Sequence, residues 1–289
     1  MDRRNFMRQL ACAVAAGTPL AGLAQQKNWQ QVEAAVGGRL GVAVLDTAAG
    51  KAIDGHRLDE RFPMCSTFKW LAAAHVLHRA DRGLEQLDRR IRYGREVLLP
   101  HSPITERHAG QGEGDGMTLA ELCEATITIS DNAAGNLILQ TYGGPEGLTR
   151  YARSLGDTVT RLDRWETELN EARPGDPRDT TSPRAMAILL RTLLVGDALS
   201  PPARAQLARW MEATRTSGKR LKADLPGGWR VGSKTGTGAR GTTNDVGIFR
   251  PPGGGAPVLV AVYLTECEAP EDARNAAVAR VARHVTHGE

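Results

Sequence analysis

The chain has 289 residues, of which 41% are hydrophobic and 24% charged, a composition typical of a globular protein with one large or two interlocked domains. Its net charge of +4 falls to +2 without Asp2 and the three arginines of the first 24 residues, which does not favour nucleic-acid binding. No stretch after residue 24 is apolar for long enough to form a transmembrane helix.

The first 24 residues are predicted to be an export signal. Arg3 and Arg4 begin a basic segment, a weakly apolar run follows, and Gly22-Leu23-Ala24 forms a small-residue cleavage site. Paired arginines in such a segment are typical of the twin-arginine route, which exports folded proteins. We therefore expect a periplasmic protein without a membrane anchor.

The remaining sequence predicts an α/β fold of the α+β type. Strands are predicted at 39–46, 51–56, 229–237, 243–250 and 258–265. Helices are predicted at 29–36, from residue 63 onward, at 118–129, 132–142, 145–155, 183–195, 201–213 and 271–285. Because the strands lie near both ends of the chain and the helices between them, we expect one antiparallel sheet with the helices in their own layer.

Residues 157–181 interrupt this regular pattern. They contain many charged side chains and two prolines, Pro174 and Pro177, without helical or strand periodicity. Loops of this length are uncommon in compact domains unless they have a function. The stretch is therefore a candidate functional loop.

Ser66 and Lys69 stand three positions apart at the start of an apolar helical run. Residues three apart share a helix face, so the lysine nitrogen can lie close to the serine hydroxyl. A serine nucleophile needs a neighbouring base, and lysine can act as one only if its pKa is lowered. The alternative interpretation is a helix cap followed by a solvated lysine.

Two further polar motifs stand beside apolar segments. Ser130-Asp131-Asn132 lies at the break between two predicted helices, where it is either a cap for the second helix or a polar cluster facing a cleft. Lys234-Thr235-Gly236-Thr237 ends a predicted strand. Its cation, hydroxyl groups and glycine-exposed backbone N–H groups are suited to binding a carboxylate.

Together, these motifs resemble a known family. Ser66-x-x-Lys69, Ser130-Asp131-Asn132 and Lys234-Thr235-Gly236, in this order, are similar to the motif set of serine β-lactamases and penicillin-binding proteins. The segment from Glu166 to Asn170 resembles the ExxLN element of class A β-lactamases. The resemblance extends from about residue 30 to the C-terminus.

The resemblance implies a five-stranded antiparallel sheet with flanking helices, an all-α domain, and an active site between them. Residues 25–62 and 213–289 would form the discontinuous α/β domain. Residues 63–212 would form the all-α domain, including the loop 161–179. We expect a monomer.

The resemblance also implies the catalytic residues Ser66, Lys69, Ser130, Glu166 and Asn170. Ser66 would attack the lactam carbonyl, with Lys69 and Glu166 as alternative bases for this step. Ser130 would pass a proton to the departing ring nitrogen. Glu166 and Asn170 would hold the water that releases the acyl group, which distinguishes a hydrolase from a protein that stays acylated.

The substrate-binding residues implied in the same way are His101, Asn132, Arg220, Lys234, Thr235, Gly236 and Thr237. Asn132 would bind the acylamino side chain, and the cationic and hydroxyl groups would bind the substrate carboxylate. The backbone N–H groups of Ser66 and Thr237 would form the oxyanion hole. Arg164 and Asp179 would form an ion pair across the neck of the loop. In relatives the peptide bond after the glutamate is often cis, and the sequence leaves its state here open.

The implied function is hydrolysis of penicillins and cephalosporins through a serine acyl-enzyme, which confers β-lactam resistance. The sequence has no HExxH motif or Cys/His ligand set, and we expect neither a metal nor another cofactor. Two alternatives remain open at this point. A cell-wall transpeptidase or carboxypeptidase would share the acylation residues but deacylate slowly, and a β-lactam sensor would need a membrane span or output domain.

Overall fold

A computed structural model describes residues 29–50, 53–110 and 115–287. The predicted export signal, residues 1–24, lies outside the described residues. Within these ranges the chain forms a five-stranded antiparallel sheet, two small two-stranded sheets and eight α-helices. The predicted α+β fold with a five-stranded antiparallel sheet is confirmed.

The main sheet combines strands from both ends of the chain in the order β2-β1-β9-β8-β7. Its strands are β1 (Arg39–Asp46), β2 (Asp54–His56), β7 (Arg230–Thr237), β8 (Thr243–Arg250) and β9 (Val258–Thr265). Every pair of neighbours is antiparallel. Strand β7, which contains the Lys234 motif, is an edge strand, so one side of its backbone is open to a ligand.

The helices are α1 (29–36), α2 (Phe68–Asp81), α3 (Leu119–Thr128), α4 (Asn132–Gln140), α5 (Gly144–Ser154), α6 (Pro183–Leu194), α7 (Pro201–Glu212) and α8 (Glu271–His287). Thr118 and Glu121 form the predicted capping box of α3. Ser182 and Ser200 cap α6 and α7, each followed by a proline in the first turn. No helix of the described residues is both long and apolar enough to cross a bilayer.

The hydrophobic core has two parts, which lie on opposite faces of the main sheet. Along β1, Leu40 and Val42 belong to a cluster with residues of α1 and α8. The alternate residues Ala43 and Leu45 belong to a larger cluster with residues of α2 to α7. This alternation is the period of two expected for a strand that is buried on both faces.

The two small sheets were not predicted from the sequence. One pairs β3 (Phe62–Pro63) with β6 (Thr180–Thr181), and the other pairs β4 (Arg90–Ile91) with β5 (Met117–Thr118). Strands of two residues are too short to produce a periodic pattern. The β3–β6 pair joins the segment before Ser66 to the end of the charged loop, and so helps to position that loop against the serine.

Candidate active site

Ser66 lies in a 3₁₀ turn, Cys65–Thr67, that leads directly into α2. The sequence predicted a serine at the start of an α-helix, and the structure places it one turn earlier. Lys69 is in the first turn of α2 and is completely buried. The predicted alternative, a solvated lysine, is therefore wrong.

Glu166 of the charged loop contacts both of these residues. Ser66 Oγ donates a hydrogen bond to Glu166 Oε1 at 3.0 Å, and Lys69 Nζ lies 2.9 Å from the same oxygen. The side chains of Lys69 and Glu166 are both fully buried. A hydroxyl, an amine and a carboxylate thus meet in a water-poor environment, where their electrostatic interactions are strong.

The Ser130-Asp131-Asn132 motif is both a cap and a polar cluster, so the two alternatives of the sequence are not exclusive. Asp131 accepts a hydrogen bond from Ala134 N and caps α4. Asn132 Oδ1 accepts a hydrogen bond from Lys69 Nζ at 2.5 Å. Ser130 has φ of 67°, in the left-handed region, which non-glycine residues seldom adopt outside functional sites and turns.

The hydroxyl of Ser130 lies between two buried lysines. Lys234 Nζ donates to Ser130 Oγ at 2.9 Å, and Lys69 Nζ lies 3.4 Å from it. Lys234 is completely buried, although it is on an edge strand. Gly236 allows β7 to lie close to the turn that contains Ser66. A Cβ at position 236 would lie only 2.6 Å from the carbonyl oxygen of Met64, which is next to that turn.

Arg220 lies behind the end of β7. Its Nη2 donates to Thr237 Oγ1 at 2.9 Å, and its Nη1 donates to the carbonyl oxygens of Gly236 and Asn244. Arg220 Nε donates to Asn275 Oδ1 at 2.8 Å, so the guanidinium group is held from several sides. Its positive charge is therefore fixed beside the hydroxyl of Thr237.

A cleft of about 330 Å³ lies over these residues, and the buried Lys69, Glu166 and Lys234 contact its lining residues Ser66 and Ser130 without lining it themselves. The lining residues are Ser66, His101, Ser130, Asn132, Asn170, Thr216, Arg220, Thr235 and Thr237. His101 is exposed, and its ring nitrogen Nε2 lies 2.9 Å from the carbonyl oxygen of Ile129. Within the described residues, no group of three or more His, Cys, Asp or Glu side chains is arranged to hold a metal ion.

The charged loop is closed by a buried ion pair. Arg164 Nε lies 2.6 Å from Asp179 Oδ2, and Arg164 Nη1 lies 2.7 Å from Glu171 Oε2. Asp179 also accepts hydrogen bonds from the backbone N–H groups of Asp163 and Arg164. The peptide bond between Glu166 and Thr167 is cis.

Two residues of the site were missed by the sequence analysis. Asn136 Oδ1 accepts from Glu166 N at 3.0 Å, and Asn136 Nδ2 donates to Glu166 O at 3.1 Å, so this side chain holds the backbone of the carboxylate. Thr216 lies with its hydroxyl 2.6 Å from that of Thr235. Asn136 follows Asn132 by one helical turn, so both lie on the same face of α4. This spacing is the sequence signal that could have identified Asn136 as a residue of the site.

Burial and charge shift the pKa values of the site in a consistent way. Burial lowers the pKa of Lys69, although the carboxylate of Glu166 opposes this change. Burial of Glu166 opposes its ionisation, but the charge of Lys69 and hydrogen bonds from Lys69, Asn170 and Ser66 bring its pKa below the ordinary value. Burial and repulsion by Lys69 hold the pKa of Lys234 well below its usual range. An anion bound at Lys234 would offset these effects and favour its charged form.

Loss of the buried ion pair should loosen the loop. We expect Asp179→Ala to destabilise the loop locally by about 3 kcal/mol, because it leaves Arg164 Nε and two backbone N–H groups without their acceptor. Hydrogen exchange followed by mass spectrometry should show faster exchange across 161–179. Asp176→Ala is the matched control, because its partner Arg178 is exposed and such pairs contribute little. Equal exchange in the two variants would contradict this role of Asp179.

Comparison with known proteins agrees with this geometry. A model of the β-lactamase enzyme family matches residues 24–287. The structure of an ancestral class A β-lactamase, called GNCA, is 60% identical, and the match covers 92% of this chain and 100% of that chain with a TM-score of 0.88. The structure of PenP from Rhodopseudomonas palustris, named as a class A β-lactamase, is 57% identical with the same coverage and a TM-score of 0.88. The chain therefore belongs to the class A β-lactamases, serine hydrolases that open β-lactams through an acyl-enzyme.

Proposed function

We propose that this enzyme hydrolyses penicillins and cephalosporins, with Ser66 as the nucleophile and Glu166 as the base that releases the acyl group. The observation that carries the proposal is the contact of one carboxylate oxygen, Glu166 Oε1, with both Ser66 Oγ and Lys69 Nζ. A penicillin-binding protein needs the serine and the lysine for acylation. Because it deacylates slowly, it does not need a loop carboxylate that contacts the serine hydroxyl.

For acylation, the contacts favour Glu166 over Lys69 as the base in the free enzyme. The hydroxyl of Ser66 donates to Glu166, whereas Lys69 donates to Ser130 O, Asn132 Oδ1 and the carboxylate. Three acceptors around one nitrogen favour the ammonium form, which cannot accept a proton. Lys69 would therefore act by stabilising negative charge as Ser66 attacks the lactam carbonyl.

Ser130 is suited to deliver a proton to the ring nitrogen when the lactam C–N bond breaks. Its hydroxyl lies 3.4 Å from Lys69 Nζ and 2.9 Å from Lys234 Nζ. Two cations beside a hydroxyl lower the energy of its deprotonated form. Ser130 would give its proton to the ring nitrogen, which leaves as an amine, and would take a proton from Lys69. Lys69 would in turn take the proton that Glu166 had accepted from Ser66, so that all groups recover their starting protonation.

Deacylation requires a water molecule directed at the ester carbonyl. Asn170 Nδ2 donates to Glu166 Oε2 at 2.6 Å, and this bond fixes the orientation of the carboxylate. Asn170 itself lines the cleft. Glu166 would remove a proton from water as the water attacks, and Ser66 would recover a proton when the ester bond breaks. General base catalysis of this kind typically contributes about 10²–10⁴-fold to the rate.

Substrate binding would rest on the groups of β7 and on the opposite wall of the cleft. The substrate carboxylate would lie against Lys234, Thr235 and Thr237, with Arg220 fixed behind the last hydroxyl. Asn132 and His101 line the opposite wall and would contact the acylamino side chain. The N–H groups of Ser66 and Thr237 would bind the oxyanion, where one donor is typically worth about 3 kcal/mol of the barrier.

The test is sustained turnover compared with a stable adduct. Purified enzyme is mixed with nitrocefin, benzylpenicillin or a cephalosporin in large excess, and hydrolysis is followed by absorbance while intact mass spectrometry monitors acylation. We expect many turnovers per enzyme molecule and mostly free enzyme at the end. One equivalent of stable acyl-protein without turnover would favour a penicillin-binding protein and overturn the proposal.

As pH falls, the decrease of kcat/KM should begin at an unusually low pH. The lowered pKa of Glu166 means that its carboxylate stays ionised as pH falls, and protonation begins only near that lowered pKa. We expect kcat/KM for benzylpenicillin to be constant from neutral pH down to about 4.3, the ordinary pKa of glutamate, and to decrease only below it. Circular dichroism at each pH controls for unfolding. An acid limb centred near pH 6 in folded enzyme would contradict the assignment.

We also propose the cellular context and domain limits inferred from the sequence. The enzyme would be exported to the periplasm by a twin-arginine signal and act as a monomer without a cofactor. The match to the family model begins at residue 24, next to the inferred cleavage site, which supports a separate leader. Residues 25–62 and 213–289 would form the α/β domain and 63–212 the helical domain. The main sheet, built from strands within 39–56 and 230–265, supports this division.

A further inference from the structure

Two residues that line the cleft, Thr216 and Arg220, lie in the connection between α7 and β7. This connection, residues 214–223, which we call the 214–223 segment, consists of turns and bends. Because the segment belongs to no helix or sheet ladder, other contacts have to hold its side chains in place. The contacts that hold Thr216 and Arg220 therefore help to set the shape of the cleft.

The side chain of Asp245 supplies two of these contacts. Asp245 lies on β8, is completely buried and does not line the cleft. Its Oδ2 accepts hydrogen bonds from Ser217 Oγ and from Leu221 N, the latter at 3.1 Å. Ser217 directly follows Thr216, and Leu221 directly follows Arg220. One carboxylate oxygen thus fixes the chain next to both cleft residues.

The 214–223 segment is also closed on itself at Ser217. The carbonyl oxygen of Ser217 accepts hydrogen bonds from Arg220 N at 2.9 Å and from Lys222 N at 3.2 Å. From this position Arg220 Nη2 reaches Thr237 Oγ1 at the end of β7. A shift of Ser217 would therefore move Arg220 relative to β7.

We propose that Asp245 is a positioning residue for substrate binding: by holding Ser217 and Leu221, it places Arg220 where the guanidinium group attracts the carboxylate of the β-lactam. The inference rests on the proposed function, which assigns that carboxylate to β7 and Arg220. Asp245 itself does not contact the substrate. Because the attraction depends on distance and orientation, a small displacement of Arg220 weakens it.

Asp245 also acts on Arg220 through its charge. Burial lowers the pKa of Arg220, and the carboxylate of Asp245 opposes this change. Burial in turn raises the pKa of Asp245, and the hydrogen bond from Ser217 and the charge of Arg220 oppose that change. Asp245→Asn keeps an acceptor oxygen and removes the charge, so this variant separates the hydrogen bonds from the charge.

The test compares kcat/KM for benzylpenicillin with kcat/KM for its methyl ester, which has the same rings but no negative charge. Asp245→Ala should lower kcat/KM for benzylpenicillin about ten-fold, the loss expected for one hydrogen bond to a charged group, and leave the value for the ester nearly unchanged. Asp245→Asn should restore most of the activity on benzylpenicillin, because its oxygen can still accept from Ser217 and Leu221. A loss in Asp245→Asn as large as in Asp245→Ala would show that charge and not position matters, and would overturn the proposal.

Ser217→Ala keeps the inference testable if Asp245→Ala does not fold. It removes one donor to Asp245 without changing any charge, and should lower kcat/KM for benzylpenicillin about three-fold without affecting the ester. In an Arg220→Gln background it should have little further effect, because both changes act on the same contact. Ser182→Ala is the matched control. It removes a buried serine hydroxyl that caps α6, and should keep the acid-to-ester ratio of the parent.

Two results would contradict the role of Asp245. One is an acid-to-ester ratio that stays at the parental value in Asp245→Ala and Ser217→Ala, since a purely structural role would change both substrates alike. The other is an undiminished effect of Ser217→Ala in the Arg220→Gln background. Both are measured against a parent that turns over benzylpenicillin. A parent without turnover would instead refute the proposed function, so the two failures are distinguishable.

Discussion

Replacing Glu166 by glutamine should convert the enzyme into one that is acylated by benzylpenicillin but cannot release the product. The amide keeps the size of the side chain but cannot accept a proton from water. We expect deacylation to fall by about 10³-fold or more, within the range of general base catalysis. Intact mass spectrometry should show nearly complete conversion to the acyl-enzyme, and steady-state turnover should fall to the deacylation rate.

Acylation should persist in this variant because the substitution also changes Lys69. In the parent, burial lowers the pKa of Lys69 and the carboxylate of Glu166 opposes that effect. Without the carboxylate, burial acts unopposed and favours the neutral amine. A neutral Lys69 can accept the proton of Ser66, so a second base becomes available for acylation. The side chain of Asn170 is hydrogen-bonded to Glu166 and Thr167 and not to Lys69, so we expect Lys69 to be a poor substitute in deacylation.

Glu168→Gln is the control for this experiment. It makes the same chemical change two residues away, at an exposed position of the same loop. We expect its turnover to match the parent, because Ser66 and Lys69 contact the carboxylate of Glu166 and not that of Glu168. Parental turnover in Glu166→Gln would show that another group activates the water, and the proposed mechanism would then be wrong.

Replacing Ser66 by alanine should abolish covalent chemistry while the cleft stays intact. The hydroxyl is the atom that forms the ester, and Cβ remains in place to keep the turn Cys65–Thr67 packed. Loss of a serine nucleophile typically lowers kcat by about 10⁶-fold. We expect no mass shift after incubation with benzylpenicillin and nitrocefin hydrolysis at the background rate.

Ser200→Ala is the matched control for loss of a serine hydroxyl. Ser200 caps α7 and binds Asp81, outside the catalytic cleft. We expect it to lower the free energy of unfolding by about 1 kcal/mol but to leave nitrocefin turnover unchanged below the unfolding transition. Formation of an acyl adduct by Ser66→Ala would identify a different nucleophile and contradict the assignment.

Much of the secondary structure could be predicted because its signals are local. The bounds of β1, β8 and β9 agree with the sequence analysis, since each is a run of β-prone residues that ends at a turn. The starts of α6 and α7 agree because a serine cap and a following proline mark them. Other helix ends differ by one or two residues, as is usual where the last turn is irregular. The start of α2 differs more, because the strand β3 and the 3₁₀ turn Cys65–Thr67 occupy the first residues of the helix predicted from residue 63.

The candidate site was predicted less completely than the secondary structure, because several of its contacts join residues that are distant in sequence. Motif residues could be named because their types and order resemble a known family. Thr216 and Asn136 could not be named from the sequence. Thr216 matters through its contact with Thr235, and Asn136 through its contact with Glu166, and each partner is distant in sequence. The stacking of His75 on Tyr151 was missed for the same reason, since the two rings meet only when α2 and α5 pack together.

The sequence by itself determined which chemical groups this protein has and on which local elements they lie: a serine and a lysine at a helix start, a carboxylate in a charged loop, and a cation on a strand. Only the tertiary structure decided that Glu166 touches both Ser66 and Lys69, and that two lysines are buried around Ser130. Turn and helix signals act over a few residues, whereas burial depends on segments about 100 residues apart, such as Ser66 and Glu166. The pKa shifts on which the chemistry depends therefore exist only in the folded chain.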